Sequence, residues 1–139
     1  MRTAKSPKLG SNTSKERKKL IKECDDLTSQ IVRLRDGRCV CCGTTERLTD
    51  GHLITRGCHI IRWDLTNNNC QCSGCNFLHE HRPERYTNWW INHYGKEAYD
   101  NLVEKSRQTK HWGVLELREE KFKLKNKLDE LLKLKVDQE

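Results

Sequence analysis

Four of the eight cysteines form two Cys-x-x-Cys pairs. The pairs are Cys39/Cys42 and Cys72/Cys75, and residues 43–71 separate them. A two-residue spacer lets two thiolates meet one tetrahedral zinc ion, and two such turns complete a closed site with no position left for water. We therefore predict a structural Zn²⁺ held by these four side chains, contributing on the order of 10 kcal/mol to folding.

Two further thiols leave the ligand set open at this stage. Cys41 lies inside the first pair and Cys70 lies two residues before the second, so each could replace a neighbour. Disulfides are the other reading of the pattern. The chain shows no secretory signal and no apolar run long enough to span a membrane, so we expect a cytoplasmic location, the host cytoplasm if a phage encodes it. In such a reducing compartment cysteines more often bind metal than form disulfides.

Polar groups suited to phosphodiester hydrolysis lie around these pairs. Asp50 and His52 are on the predicted first strand, Asn67 precedes the second cysteine pair, and Asn76 follows its last cysteine. A neutral imidazole can take a proton from water, and a hard cation such as Mg²⁺ or Mn²⁺, bound by carboxylate or amide oxygen, can stabilise charge on the phosphate. The alternative is that His52 is structural, as a single histidine in a strand often is.

An ordered series of motifs runs through this region. It comprises Gly51-His52-Leu53-Ile54-Thr55-Arg56, Arg62-Trp63-Asp64, Asn67, Gln71-Cys72 and Cys75-Asn76. The series resembles the phage NinG/Rap recombination endonucleases of the HNH, or ββα-metal, class, over about residues 20–110. The cysteine layout, with an asparagine directly after the last cysteine, also resembles the recombination endonuclease VII family.

The resemblance implies a role for each matching residue. His52 would be the general base, and Asn67 would brace the hairpin loop and help to orient it. Asn76 would bind the catalytic Mg²⁺ or Mn²⁺, and Arg56 would contact the scissile phosphate or stabilise the product. Because Gly51 separates Asp50 from the histidine, Asp50 would either be a second ligand of that ion or contact a residue that binds it.

A third motif histidine has no clear counterpart. His79 and His81 follow the second cysteine pair, but their register on the predicted helix is open. Relatives often have histidine where this chain has Asn69, so any role at that position is uncertain.

The charge of the chain suits a polyanionic partner. The formal net charge is +7. Only 34% of residues are hydrophobic, which indicates a small core that needs a bound metal ion to stabilise it. We predict DNA as the partner, and the resemblance implies branched recombination intermediates such as D-loops and Holliday junctions. The alternative is an ordinary solvated basic surface. The basic residues selected as DNA contacts are Lys18, Lys19, Arg33, Arg38 and Arg62.

The elements that must position these groups give an α+β fold. We predict a small ββα-metal core stapled by the Cys₄ zinc site and flanked by N-terminal and C-terminal helices. The divisions are a disordered basic arm over 1–13, a helix over 14–36, the core with its following helices over 37–110, and an amphipathic helix over 111–139. Within the core we predict strands around 48–54 and 59–65, then helices opening at 76–81 or after Pro83 and near Lys96.

The chain is therefore predicted to be an HNH-type, divalent-metal-dependent DNA endonuclease. The alternative is a noncatalytic zinc module that binds nucleic acid, with a protein-interaction adaptor as a third reading. The aromatic residues after Pro83 are expected to pack in the core, with base stacking as the alternative. The C-terminal helix either packs on its own domain or forms a homodimer.

Overall fold

The computed structural model describes residues 5–138, with side chains described from residue 13. The described chain is α+β, with five α-helices and one two-stranded antiparallel sheet. In chain order the elements are α1 (Lys5–Asp36), β1 (Leu48–His52), a 3₁₀ helix (His59–Ile61), β2 (Asn68–Cys72), α2 (Ser73–His79), α3 (Glu84–Tyr94), α4 (Lys96–Ser106) and α5 (Val114–Gln138). No helix in this described part is both long and apolar enough to cross a membrane.

The contacts divide the chain into two compact units, residues 1–27 with 112–139 and residues 28–111. In the first, α5 packs on the first part of α1, burying Leu20, Cys24, Leu117 and Leu124. Lys121, which interrupts the leucine stripe of α5, donates to Glu23 Oε2 at 3.2 Å. The ion pair explains how a lysine is accommodated between two buried leucines.

The helix α1 starts earlier than its sequence indicates. It begins at Lys5 rather than Ser14, so residues 5–13, predicted as a disordered arm, are helical. Residues 1–4 of that arm lie outside the described part. Pro7 falls in the first turn, where helical N–H groups lack intrahelical partners and a proline is tolerated. The predicted end of the helix at Asp36 is confirmed.

The second unit contains the hairpin and helices α2 to α4. β1 pairs with β2 from Leu48↔Cys72 to His52↔Asn68. The prediction of a second strand over 59–65 is wrong, because His59–Ile61 is a 3₁₀ helix within a loop and the strand follows it. Ile61 is fully buried, so this apolar run packs into the core instead of pairing with β1.

The core of this unit lies beside the loop and the helices. Leu53, Ile61, Tyr86, Trp90 and Leu102 form one buried cluster. Tyr86 and Trp90 are each 1% exposed, which confirms core packing for these two aromatics. Of the two alternative helix starts, the one after Pro83 is confirmed by α3, whereas no helix begins at 76–81 because α2 begins earlier, at Ser73. Gly95 ends α3 with φ of 100°, a backbone angle that favours glycine.

Candidate metal centre and hairpin site

The two cysteine pairs come together at the end of the hairpin. One ligand sulfur from each of Cys39, Cys42, Cys72 and Cys75 lies within 4.8 Å of the other three. The Sγ atoms of Cys42 and Cys72 are 3.7 Å apart. A tetrahedral zinc ion bonded to four sulfurs sets neighbouring sulfurs about 3.8 Å apart. The predicted ligand set is therefore positioned to hold a metal ion such as zinc.

In each Cys-x-x-Cys turn, which we call a knuckle, the backbone N–H of the second cysteine donates to the sulfur of the first. Cys42 donates to Cys39 Sγ and Cys75 donates to Cys72 Sγ, both at 3.4 Å. Gly43 has φ of 81°, which the turn after the first pair requires. Cys72 is also the N-cap of α2, so the second knuckle is the first turn of that helix.

The protonation of the four thiols also fits a cation. Burial raises the pKa of Cys39, but backbone N–H groups of the knuckles outweigh this effect and lower the pKa to about 6. Burial and the competing sulfurs of the cluster raise the pKa of Cys75. Four neighbouring sulfurs cannot all ionise without a compensating charge, and a divalent cation supplies it.

The two extra thiols are outside this cluster. Cys41 accepts a hydrogen bond from Gln71 Nε2 at 3.3 Å, and Cys70 is buried in β2. Burial raises the pKa of Cys70 to about 11, which favours the neutral thiol over a metal-binding thiolate. The spacing of the pairs thus selects the same four ligands as the geometry.

His52 is the last residue of β1 and is held by the loop that follows. Its Nε2 lies 3.2 Å from the carbonyl oxygen of Arg62. Because a carbonyl oxygen only accepts, Nε2 carries the hydrogen, and Nδ1 is the nitrogen with the basic lone pair. The same carbonyl accepts from Asn68 Nδ2 at 3.1 Å, so two facing residues of the hairpin share one acceptor.

Asn67 lies in the loop between the two strands and holds it together through hydrogen bonds. Its Oδ1 accepts from the N–H of Ile54 at 2.9 Å, and its Nδ2 donates to the carbonyls of Ile54 at 3.1 Å and Ile61 at 3.4 Å. Its own carbonyl accepts from Leu53 N–H at 2.8 Å. The side chain is fully buried. Asn67 therefore closes the loop between the strands directly after His52.

Asn76 lies on α2 beside the first strand. Its Nδ2 donates to Thr49 Oγ1 at 3.4 Å, and that hydroxyl donates to the carbonyl of Gln71 at 2.9 Å. Side chains alternate along a strand, so Thr49 and His52 are on opposite faces of the hairpin. The structure therefore places Asn76 and His52 on the two sides of β1 rather than side by side.

The remaining predicted site residues are dispersed. Asp50 is half-buried and shares its face of the hairpin with His52, away from Thr49. Arg56 is exposed in the loop. Arg33 and Arg38 are exposed near the end of α1, and the guanidinium of Arg62 lies 5.8 Å from the centre of the Trp63 ring. Lys18 and Lys19 are exposed in the other unit.

The third-histidine position is filled by structural groups. His79 Nε2 donates to the carbonyl of Leu53 at 2.7 Å, one residue after His52. Asn69 is buried and joins Tyr86, Tyr94 and Arg35 through hydrogen bonds of 2.9–3.1 Å. His81 is exposed, with its ring 5.2 Å from that of Phe77.

Sequence reasoning missed the Arg35–Asp36 pair. Arg35 bonds to both carboxylate oxygens of Asp36 and donates to the carbonyls of Leu65 and Asn68. Asp36 accepts from the N–H of Cys70 at 2.8 Å. The pair ties the end of α1 to β2 and to the loop. Adjacent opposite charges at a helix end were the available signal, although surface helices often carry the same pattern.

Comparison with known proteins identifies the family. The family model described as Bacteriophage Lambda NinG protein matches residues 3–134. The chain belongs to the NinG family. The match extends beyond the 20–110 region of the motif series and includes most of α1 and α5. Searches of curated proteins and of solved structures gave no match. The NinG fold described above is thus an α+β hairpin unit with a Cys₄ cluster and a two-helix unit.

Proposed function

We propose that this NinG-family chain is a divalent-metal-dependent DNA endonuclease of the HNH type. The observation that carries the proposal is the fixed orientation of His52, whose Nε2–H donates to the Arg62 carbonyl at the end of β1. The imidazole therefore has a defined basic nitrogen at a defined place. We assign to it the role of general base that the motif series implies.

Asn76 is the residue that would hold the catalytic ion. Its Nδ2 is engaged by Thr49, so Oδ1 is the amide atom directed elsewhere, and a carbonyl-type oxygen is the donor that Mg²⁺ or Mn²⁺ prefers. Asp50 shares a face with His52 rather than with Thr49, which favours a role beside the histidine over one as a ligand with Asn76. When bound, the ion would stabilise negative charge on the phosphate and the leaving oxygen.

The reaction that we propose is an in-line displacement at phosphorus. In such a reaction the attacking water and the leaving oxygen lie on opposite sides of the phosphorus. The base must reach the water, and the ion must reach the leaving group. In this proposal His52 would activate the water, and the ion held by Asn76 would meet the leaving oxygen. Arg56, exposed on the loop beyond His52, would contact the same phosphate.

Branched DNA is the proposed substrate, on the basis of the NinG/Rap resemblance and the charge of +7. The exposed cations Lys18, Lys19, Arg33 and Arg38 would contact phosphates, which positions a protein without reading sequence. We propose a structural Zn²⁺ in the Cys₄ cluster, cleavage of D-loops or four-way junctions, and affinity that falls as salt rises. Homodimerisation through α5 remains a prediction.

The test is cleavage of a four-way junction and a matched linear duplex with and without Mg²⁺ or Mn²⁺. His52→Ala should retain zinc and fold but lose cleavage, whereas His111→Ala, at an exposed site, should cut like the unmodified protein. Asn76→Ala should lose cleavage, and Asn101→Ala on the exposed side of α4 should not. DNA binding by the unmodified protein with no cleavage in either metal would favour the noncatalytic module instead.

A further inference from the structure

A cavity of about 470 Å³ opens between β2, α2 and α3, within residues 28–111. The volume is in the range of pockets that bind small molecules or single nucleotides. It is close to the proposed nuclease site, because His79, one of its walls, donates to the carbonyl next to His52. The lining residues are Cys41, Gln71, Cys75, Leu78, His79, Arg82, Glu84, Arg85 and Tyr86.

The interior of the cavity combines flat apolar surface with an amide. His79 packs edge-to-face on the buried ring of Tyr86, with ring centres 5.0 Å apart, and Leu78 remains 42% exposed. Gln71 is fully buried; its Nε2 donates to Cys41, and within the described residues its Oε1 has no hydrogen-bond partner. A planar, largely apolar group with polar edges fits such a lining, and a nucleobase has that chemistry.

The mouth of the cavity is positively charged. Arg82 and Arg85 are both exposed, and neither forms an ion pair or side-chain hydrogen bond within the described part of the chain. Glu84 lies between them and offsets one of the two charges. Guanidinium groups bind phosphate oxygens with paired hydrogen bonds, so these two arginines are suited to the phosphates on either side of a bound base.

Aromatic rings continue along α3 from the cavity mouth. Arg85, Trp89 and His93 follow at intervals of four residues, which places them along one side of the helix. The Trp89 and His93 rings are stacked, with centres 4.8 Å apart and planes 13° from parallel. Stacking on aromatic rings is a general way of binding unpaired bases. A strand leaving the cavity past Arg85 would meet this stack.

We propose that the cavity binds one unpaired nucleotide of a DNA strand, with its base against Leu78 and His79 and its neighbouring phosphates on Arg82 and Arg85. The inference rests on the proposed function and deepens it, because it assigns the substrate a single-stranded segment next to the cut site. Paired bases cannot enter, since they are stacked within the duplex. The protein should therefore bind a single strand more tightly than a duplex of equal length.

The test measures fluorescence anisotropy of a labelled mixed-sequence single strand and of the matched duplex, without Mg²⁺, Mn²⁺ or chelator. Arg82→Gln/Arg85→Gln should weaken single-strand binding about tenfold, because the two proposed phosphate contacts are lost. The slope of log affinity against log salt should become shallower by about 1.4, which corresponds to two phosphates on a single strand. The control Lys133→Gln/Lys135→Gln removes the same charge from exposed sites on α5.

A second pair of variants tests the cavity itself without changing charge. Leu78→Trp fills it and should weaken single-strand binding while leaving duplex binding unchanged, whereas Leu78→Ala leaves it open and should bind as before. Normal zinc content and circular dichroism establish that each variant folds. Equal losses in the arginine variant and its lysine control, or unchanged single-strand binding by Leu78→Trp, would overturn the proposal.

Failure of the two proposals can be distinguished. Binding is measured without cleavage, so its outcome does not depend on the nuclease proposal. A His52→Ala protein that still cuts DNA would defeat the assignment of His52 as the base, and an unmodified protein that cuts no DNA would defeat the nuclease proposal. Either result would leave the nucleotide site standing. A polyglutamate peptide serves as a competing polyanion. If it displaces the strand with the same dependence on Arg82 and Arg85, and Leu78→Trp has no effect, the mouth is a general anion site and the nucleotide proposal fails.

Discussion

His52 and Asn68 face each other across the hairpin and donate to the same carbonyl oxygen, that of Arg62, at 3.2 and 3.1 Å. Asn68 also donates to the carbonyl of Asp64 at 2.7 Å, so it fixes the segment that carries the acceptor of His52. The orientation of the proposed base thus depends on a buried asparagine that touches no substrate.

Replacement of this positioning residue should slow cleavage without abolishing it. In Asn68→Ala the Arg62 carbonyl loses one of its two donors, and the imidazole becomes less constrained. A misplaced catalytic group can cost up to about 100-fold in rate, and we expect about tenfold here. Single-turnover cleavage measures the loss, and the pH profile should change shape as well as height. An unchanged rate would exclude the positioning role.

Removal of one zinc ligand should unfold the hairpin unit. Cys72→Ser is expected to lose bound zinc and cooperative unfolding, because a structural zinc contributes on the order of 10 kcal/mol. Cys58→Ser, half-buried in the loop and outside the cluster, is the matched control and should keep both. Zinc content and thermal unfolding are measured on the same samples. Identical melting of the two variants would contradict a metal staple.

Loss of the Asn67 side chain should destabilise the same unit. Asn67→Ala leaves the N–H of Ile54 and two carbonyls without their partner in a buried loop. Each buried group left unpaired costs about 1–3 kcal/mol, so we expect a loss of roughly 3 kcal/mol in the free energy of unfolding. Urea denaturation gives the value. Asn92→Ala, exposed on α3, should change it by less than about 0.5 kcal/mol.

A methyl group at position 51 should clash with Gln71. A Cβ built on Gly51 would come within 2.0 Å of Gln71 Oε1 and 2.8 Å of its Cγ. Gln71 is fully buried and cannot move away freely, so Gly51→Ala should cost about 1–3 kcal/mol. The double variant Gly51→Ala/Gln71→Ala should recover part of this loss. Additive effects of the two changes in urea denaturation would show that the contact is unimportant.

The two-helix unit should lose stability in alkaline solution. Burial raises the pKa of Cys24 from its ordinary 9.0 to about 12. The folded protein therefore keeps this proton longer than the unfolded chain does, and the stabilisation is full below pH 9 and lost as the pH rises towards 12. Over that pH range the free energy of unfolding of Cys24→Ala should fall by less than that of the unmodified protein, with a difference of a few kcal/mol at most. If the free energy of unfolding falls equally steeply with pH in the two proteins, the effect does not come from Cys24.

The sequence predicts the groups whose spacing is set by local chemistry. The Cys-x-x-Cys turns, the end of α1 at Asp36 and the glycine cap at Gly95 depend on a few neighbouring residues, and each is confirmed. The second strand could not be predicted in the same way. Asn68–Cys72 is polar in sequence but largely buried, because it accepts a hydrogen bond from Arg35 and donates hydrogen bonds to Asp36 and Tyr86. Hydrophobic alternation is absent when tertiary hydrogen bonds replace apolar contacts.

The candidate site was likewise predicted only in part from the sequence. The motif series located His52 and Asn67, but only the hairpin register reveals that Asn76 and His52 are on opposite sides of β1. The cavity beside Gln71 is formed by residues from four separate stretches of chain, so no local pattern could indicate it.

The sulfur cluster joins Cys39 and Cys42 to Cys72 and Cys75, and the exposed loop residues Thr55, Arg56 and Gly57 lie between them in the chain. With a metal ion bound, a protease that cuts after Arg56 would break the chain without releasing either piece. The two fragments would stay together through the ion, through the hairpin and through the packing of α5 on α1. Limited trypsin digestion followed by size-exclusion chromatography would make that clamp visible as a nicked protein that elutes intact.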